Sequence, residues 1–125
     1  MAGTIVSDTI QNGVGASTST TNVISGSLRA WVTFNGTTGS TFATFNVSSV
    51  TRTGTGDYTV NFTTAFANTN YVIIASARNA SGIFGVECGQ NYNTTQAVAS
   101  CRMYCTNDGG GAFDSPYYSA MYTSA

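Results

Sequence analysis

Residues 42–64 read FATFNVSSVTRTGTGDYTVNFTT, and apolar and small polar side chains alternate along both halves of the stretch. Phe42, Thr44, Asn46 and Ser48 fall on one side, with Ala43, Phe45, Val47 and Ser49 on the other. A turn cluster follows at 53–57 (TGTGD). Alternation then resumes, with Tyr58, Val60 and Phe62 against Thr59, Asn61 and Thr63. Period two on both sides of a glycine-rich break predicts a β-hairpin, and a chain built on it is committed to sheets.

The same period recurs along the chain. Residues 28–35 place Leu28, Ala30, Val32 and Phe34 opposite Arg29, Trp31 and Thr33. Residues 71–77 (YVIIASA) are apolar on both faces, which predicts a central strand. Residues 83–89 alternate weakly. Residues 97–105 put Ala97, Ala99, Cys101, Met103 and Cys105 on one face, and 117–122 close the series. Turn signals rich in Gly and Asn separate these runs. About seven short strands at this spacing predict an all-β fold, an antiparallel sandwich of jelly-roll-like or Ig-like type covering 28–125. No segment of useful length carries the helical period. Residues 1–27 contain no aromatic residue, and their apolar residues are scattered. They read as an extended N-terminal arm, either flexible or ordered by another chain, with Ile5, Val6, Ile10, Val23 and Ile24 as the anchoring side chains.

Composition narrows function by removing chemistry. Only 7% of the 125 residues are charged, none is His, and the net charge is −1. Four Arg at 29, 52, 78 and 102 are too few and too scattered to neutralise phosphates, so no nucleic-acid partner is expected. Each Arg reads instead as lying beside a carboxylate or at a strand edge. Without His there is no Ser-His-Asp or Cys-His arrangement, and the commonest zinc ligand is missing. The carboxylates Asp108 and Asp114 flank a loop, NDGGGAFD, whose spacing is not that of a calcium-binding EF-hand. Asp57 reads as a turn residue bonding to backbone, and Glu87 as a cross-strand partner of an Arg. We expect no catalytic, metal or cofactor site. No run approaches ~20 apolar residues, so no membrane span is expected, and the N-terminus lacks the pattern of a secretory leader, which points to synthesis in a cytosol.

Cys88, Cys101 and Cys105 are odd in number. On one strand Cys101 and Cys105 would stand ~13 Å apart, too far to bond. A bridge from Cys88 to either stays open, although the favoured reading is three buried thiols.

The stretch FNVSSVTRTGTGDYTVNFTTAFANTNY, with AWVTFNG shortly before it, resembles a module of small virion structural proteins of tailed bacteriophages, notably marine and cyanobacterial ones. The likeness spans about 28–71, and AWVTFNG and GTGDYTVNF are its fold-defining parts. The resemblance implies a non-enzymatic protein of the virion surface: a capsid-attached fibre or spike, a decoration protein or a tail fibre, acting in assembly and host adhesion. It implies a homotrimer made in the host cytoplasm and held to a capsid or tail protein by its arm, with a host-surface glycan as a further partner. Subunit contacts are expected at Trp31, Phe34, Tyr118 and Tyr122. Tyr92 and Tyr117 are expected to face a ligand. The alternative is a carbohydrate-binding, lectin-like module, in which Trp31 joins Tyr92 and Tyr117 as a stacking platform unless it packs in the core.

Overall fold

The computed structural model describes residues 3, 6–78, 86–91 and 93–124. In order these form β1 (Thr9–Gln11), β2 (Ser17–Ser19), α1 (Thr20–Gly26), β3 (Leu28–Phe34), β4 (Thr41–Phe45) and β5 (Val47–Gly54). There follow β6 (Asp57–Phe62), β7 (Tyr71–Ala77), β8 (Val86–Gln90), β9 (Ser100–Asn107) and β10 (Tyr118–Ser124). Eight of the strands build two antiparallel sheets, I in the order β4-β3-β10-β7 and II in the order β5-β6-β9-β8. The expected antiparallel sandwich is what the chain forms.

Alternation decides the layering. In β3, Ala30, Val32 and Phe34 point inwards; in β6, Tyr58, Val60 and Phe62; in β9, Cys101, Met103 and Cys105. Tyr118, Ala120 and Tyr122 of β10 complete the core between the sheets. Its aromatic residues form two groups. Phe34, Tyr58 and Tyr118 pack with centroids 5.1–5.3 Å apart at one end. Phe62, Phe66, Tyr71 and Tyr122 pack at the other. Rings of this size supply much of the apolar burial, roughly 2–3 kcal/mol each. Every buried Tyr hydroxyl also finds an acceptor: Asp114 for Tyr58, the Phe113 carbonyl for Tyr118, the Ala97 and Ser100 carbonyls for Tyr71, and the Met103 sulfur for Tyr122.

Several expectations need correction. The run 42–50 is not one strand. Asn46 has a φ of 53° and turns the chain from sheet I into sheet II, so Phe45 faces out of one sheet while Val47 is buried under the other. Its amide makes the corner stable, donating to the Arg29 and Thr64 carbonyls at 3.0 and 3.1 Å and accepting from the Thr64 N–H at 2.7 Å. Asn is among the few non-glycine residues that adopt this conformation readily. Strand β7 is an edge strand, not a central one; β10 lies inside sheet I, between β3 and β7. The turn signal that follows β7 and the start of the 83–89 strand lie outside the described residues.

The hairpin β5–β6 closes through Thr55 and Gly56 as expected. Gly56 has a φ of 67°, and a Cβ there would strike the Cys105 carbonyl and come within 2.9 Å of the Phe113 nitrogen. The N-terminal segment is not extended. β1 and β2 pair into a ribbon whose turn is held by the Asn12 side chain, accepting from the Val14 and Ala16 N–H groups. The short α1 then packs against β10, and the Thr123 hydroxyl donates to the Ser27 carbonyl at 3.0 Å. Two helical turns are marginal in isolation, so these contacts account for a helix that no sequence period announced.

Candidate functional site

The sandwich has two outer faces, and they differ in kind. On sheet I the pairing register brings Phe45, Trp31, Met121 and Ile74 into one row across all four strands. Phe45 and Ile74 are 53% and 59% exposed and Met121 is 41% exposed. The neighbouring row is Ala43, Thr33, Ser119 and Ser76, and Val72 and Leu28 extend the apolar surface toward the N-terminal end of β3. A groove of about 280 Å³ runs along it, lined by Leu28, Trp31, Thr33 and Met121 among others. None of the residues in these rows is charged; Arg29 lies at the margin, in a wider hollow of about 500 Å³ beside Phe45 and Asn46.

On sheet II the outward residues are polar: Ser49 and Asn61, Thr51, Thr59 and Arg102, then Asp57, Tyr104 and Gly89 across β6, β9 and β8. Asp57, Arg102, Tyr104, Asn91, Asn93 and Thr94 line a hollow of about 300 Å³ there. Arg102 holds the Asp57 carboxylate with both Nε and Nη2, the first at 2.8 Å. That fork lowers the Asp57 pKa and outweighs the opposite effect of partial burial, so the group remains an acceptor at neutral pH. Asn91 is buried and shapes the wall: its N–H donates to the Arg102 carbonyl, its side-chain oxygen accepts from the Asn93 N–H, and its carbonyl accepts from Thr94.

A second ion pair locks the end of sheet II. Asp114 accepts from Arg52, from the Gly56 N–H at 2.8 Å and from the Tyr58 hydroxyl. Burial favours its neutral form, but these donors together prevail and its pKa is lowered. Burial, reinforced by the Asp114 bond, pushes the Tyr58 hydroxyl far up. Gly36 fits against this cluster so closely that a Cβ would meet the Tyr118 ring and come within 2.6 Å of the Tyr58 hydroxyl. Two Arg thus lie beside carboxylates, as expected. Asp57 does more than serve its turn, and Asp114 belongs to a different cluster from the exposed Asp108. The Glu87 side chain lies outside the described residues.

The residues singled out from sequence fare unevenly. Phe34, Tyr118 and Tyr122 are wholly inside the core, so they present nothing to another subunit; β10 is a central strand with one face in the core. Trp31 is half-buried on the outer face of sheet I, beside Met121 and Phe45. Tyr117 is exposed and stacks on Phe42 at 5.3 Å. Val6, Ile10, Val23 and Ile24 are exposed. Ile5 and Tyr92 lie outside the described residues. Cys88 and Cys105 face each other on β8 and β9 and form a disulfide, with Cα atoms 4.3 Å apart, in place of the favoured free thiols. Cys101 remains a buried thiol, its pKa pushed up to about 11 by burial. Sequence reasoning missed Ile74, Met121 and Phe45 as a surface, and Arg102 and Tyr104 as a site, because strand order decides both.

The chain matches no protein-family model, no curated protein and no solved structure.

Proposed function

We propose that the protein is a non-enzymatic structural protein of a phage particle surface, which assembles through the outer face of sheet I. The observation that carries the assembly part is the apolar row Phe45–Trp31–Met121–Ile74. Four strands at ~4.8 Å spacing and seven residues at ~3.3 Å give a footprint of ~440 Å². Apolar patches of this size on a monomer commonly mark interaction sites. Corrugation by Trp31, Phe45, Met121 and Ile74 raises the accessible area further, in the direction of the ~800 Å² per partner that a stable interface buries.

The occupant is another copy of the same chain. An uncharged face meets itself without repulsion, and three copies turning sheet I toward a common axis would cover all three stripes. The exposed apolar side chains Val6, Ile10, Val23 and Ile24 of the N-terminal segment are then left for a capsid or tail protein. The phage context comes from the resemblance at 28–71. The lack of His, and the engagement of Asp57 and Asp114 by Arg, support a role without catalysis.

Light scattering after size-exclusion chromatography tests this. The wild-type chain should run as a trimer, and Ile74→Glu with Met121→Glu as a folded monomer. Removal of residues 1–27 should leave the trimer and abolish association with particles. A wild-type monomer at tens of micromolar would end the assembly reading. A second reading, a carbohydrate-binding module, is favoured by the polar hollow on sheet II.

A further inference from the structure

We propose that the hollow formed by Asp57, Asn91, Asn93, Thr94, Arg102 and Tyr104 binds a neutral saccharide, one sugar ring at a time. It deepens the second reading, the carbohydrate-binding module, and it does not depend on what covers sheet I.

The argument starts from the chemistry of the lining. A sugar hydroxyl both donates and accepts, so a site for it needs fixed acceptors beside fixed donors, with an apolar plane for the C–H face of the ring. Asp57 supplies the acceptors. Its carboxylate is oriented by the two bonds from Arg102, with the Thr53 and Asn91 side chains as weaker neighbouring donors that a sugar hydroxyl would compete with. Arg102 supplies donors, since Nη1 makes no bond among the described residues. Asn93 and Thr94 bring amide and hydroxyl groups from a turn held by three bonds to Asn91, at 3.0 to 3.2 Å. Tyr104 supplies the plane. It stands on β9 between Asp57 and Gly89, and its hydroxyl has no partner among the described residues. Gly89 leaves the space beside it open, because a Cβ there would meet nothing within 4 Å.

Charge selects the class of sugar. Arg102 and Asp57 cancel, so the hollow as a whole is neutral. A sulfated, phosphorylated or sialylated ring would set its anion against the Asp57 carboxylate, whereas an uncharged polyol meets no such cost. Size agrees: about 300 Å³ lies at the lower end of the range for small-ligand sites, enough for one ring and too little for a chain of them. Most of the groups are also fixed before binding, by the β6–β9 ladder and the Asn91 turn, so little ordering entropy opposes the ligand.

The test is a titration followed by amide NMR. Glucose, galactose, mannose, N-acetylglucosamine and N-acetylgalactosamine are added singly to the full chain, up to tens of millimolar, with N-acetylneuraminic acid as the charged control. At least one neutral sugar should shift Gly89, Asn91, Asn93, Thr94, Arg102 and Tyr104 and leave the sheet I rows unmoved. Tyr104→Ala should weaken that binding at least tenfold. Asn93→Ala, an exposed change that leaves the backbone bond to Asn91 intact, should weaken it several-fold and guards against loss of fold in the first variant. Shifts from no neutral sugar, shifts confined to other residues, preference for the charged control, or undiminished binding in Asn93→Ala would each overturn the proposal. Repeating the titration on Ile74→Glu with Met121→Glu separates this outcome from the state of assembly: the sugar should bind monomer and trimer alike.

Discussion

The two outer faces of the sandwich are made by the same rule and end in opposite surfaces. In both sheets the two inner strands, β3 and β10 in one and β6 and β9 in the other, bury every second residue. What they do with the others differs. Sheet I turns out Phe45, Trp31, Met121, Ile74 and Val72, and sheet II turns out Ser49, Thr51, Thr59, Asn61, Asp57 and Arg102. A polar outward face is the ordinary solution for an antiparallel sheet exposed to water. An apolar one is not, because leaving several large side chains in water forgoes roughly 25 cal/mol for each Å² that a partner would cover. On the proposed function the contrast divides the tasks: sheet II would meet solvent and solutes, and sheet I protein.

The largest effect expected from this contrast is on assembly. Glutamates at Ile74 and Met121 should convert the proposed trimer to a monomer, since an unpaired charge in an apolar contact costs several kcal/mol. Glutamates at Thr51 and Thr59, on the other face, should leave the trimer intact in the same light-scattering measurement. Dissociation by both pairs would break the comparison.

Next in size is Gly56→Ala in the β5–β6 hairpin, which holds sheet II's edge and carries Asp57 into the polar hollow. The left-handed φ of 67° costs an alanine ~1–2 kcal/mol, and crowding against the Cys105 carbonyl and the Phe113 backbone adds ~1–3. A loss of roughly 4 kcal/mol in urea unfolding is expected. A loss under 1 kcal/mol would show that the hairpin adapts and that sheet II is not fixed by it.

That hairpin was also the most legible part of the sequence. Thr53–Asp57 announced the turn, and Tyr58, Val60 and Phe62 announced the buried face. In β3 and β9 the inward sets Ala30, Val32, Phe34 and Cys101, Met103, Cys105 were equally plain, because period two depends only on neighbours in the chain. What depends on distant partners was not legible. Asn46 looks like any outward polar residue of an alternating strand, and only its three backbone bonds reveal a corner between sheets. β7 reads as central because Val72 and Ile74 are apolar, yet their side of the strand is exposed. Tyr118 and Tyr122 read as interface residues until β3 and β7 are placed on either side of them. Asp57 and Arg102 are separated by 45 positions, so no local spacing hints at their hollow.

The disulfide gives a somewhat smaller effect, confined to one sheet. Cys88–Cys105 ties β8 to β9 beside Gly89 and Tyr104, and no described residue of sheet I is tied in the same way. For a sequence separation of 17, the loss of loop constraint on reduction is worth ~3 kcal/mol in the chain-entropy account. Dithiothreitol should lower the denaturation midpoint accordingly, and hydrogen exchange should quicken in β8 and β9 before β3 and β10. Uniform quickening in both sheets would show that the faces do not loosen independently.

The smallest effect is that of acid, and it again enters through sheet II. Asp57 and Asp114 both have folded pKa values below the ordinary carboxylate range, Asp57 mainly through Arg102, and Asp114 through Arg52, Tyr58 and Gly56 acting against burial. Below pH ~4 the unfolded chain binds protons at these two positions that the folded chain does not. Their contribution is complete above that point and disappears as the pH falls through the lowered values. Both pairs are partly open to water, so the loss should be smaller than that caused by reduction. Urea midpoints measured from pH 6 to pH 2.5 should fall only below about 4, and Asp57→Asn should flatten part of that fall. The rows of sheet I contain no carboxylate, so a fall of the same size in an Asp57→Asn, Asp114→Asn double variant would place the acid-sensitive groups elsewhere and remove this asymmetry between the two faces.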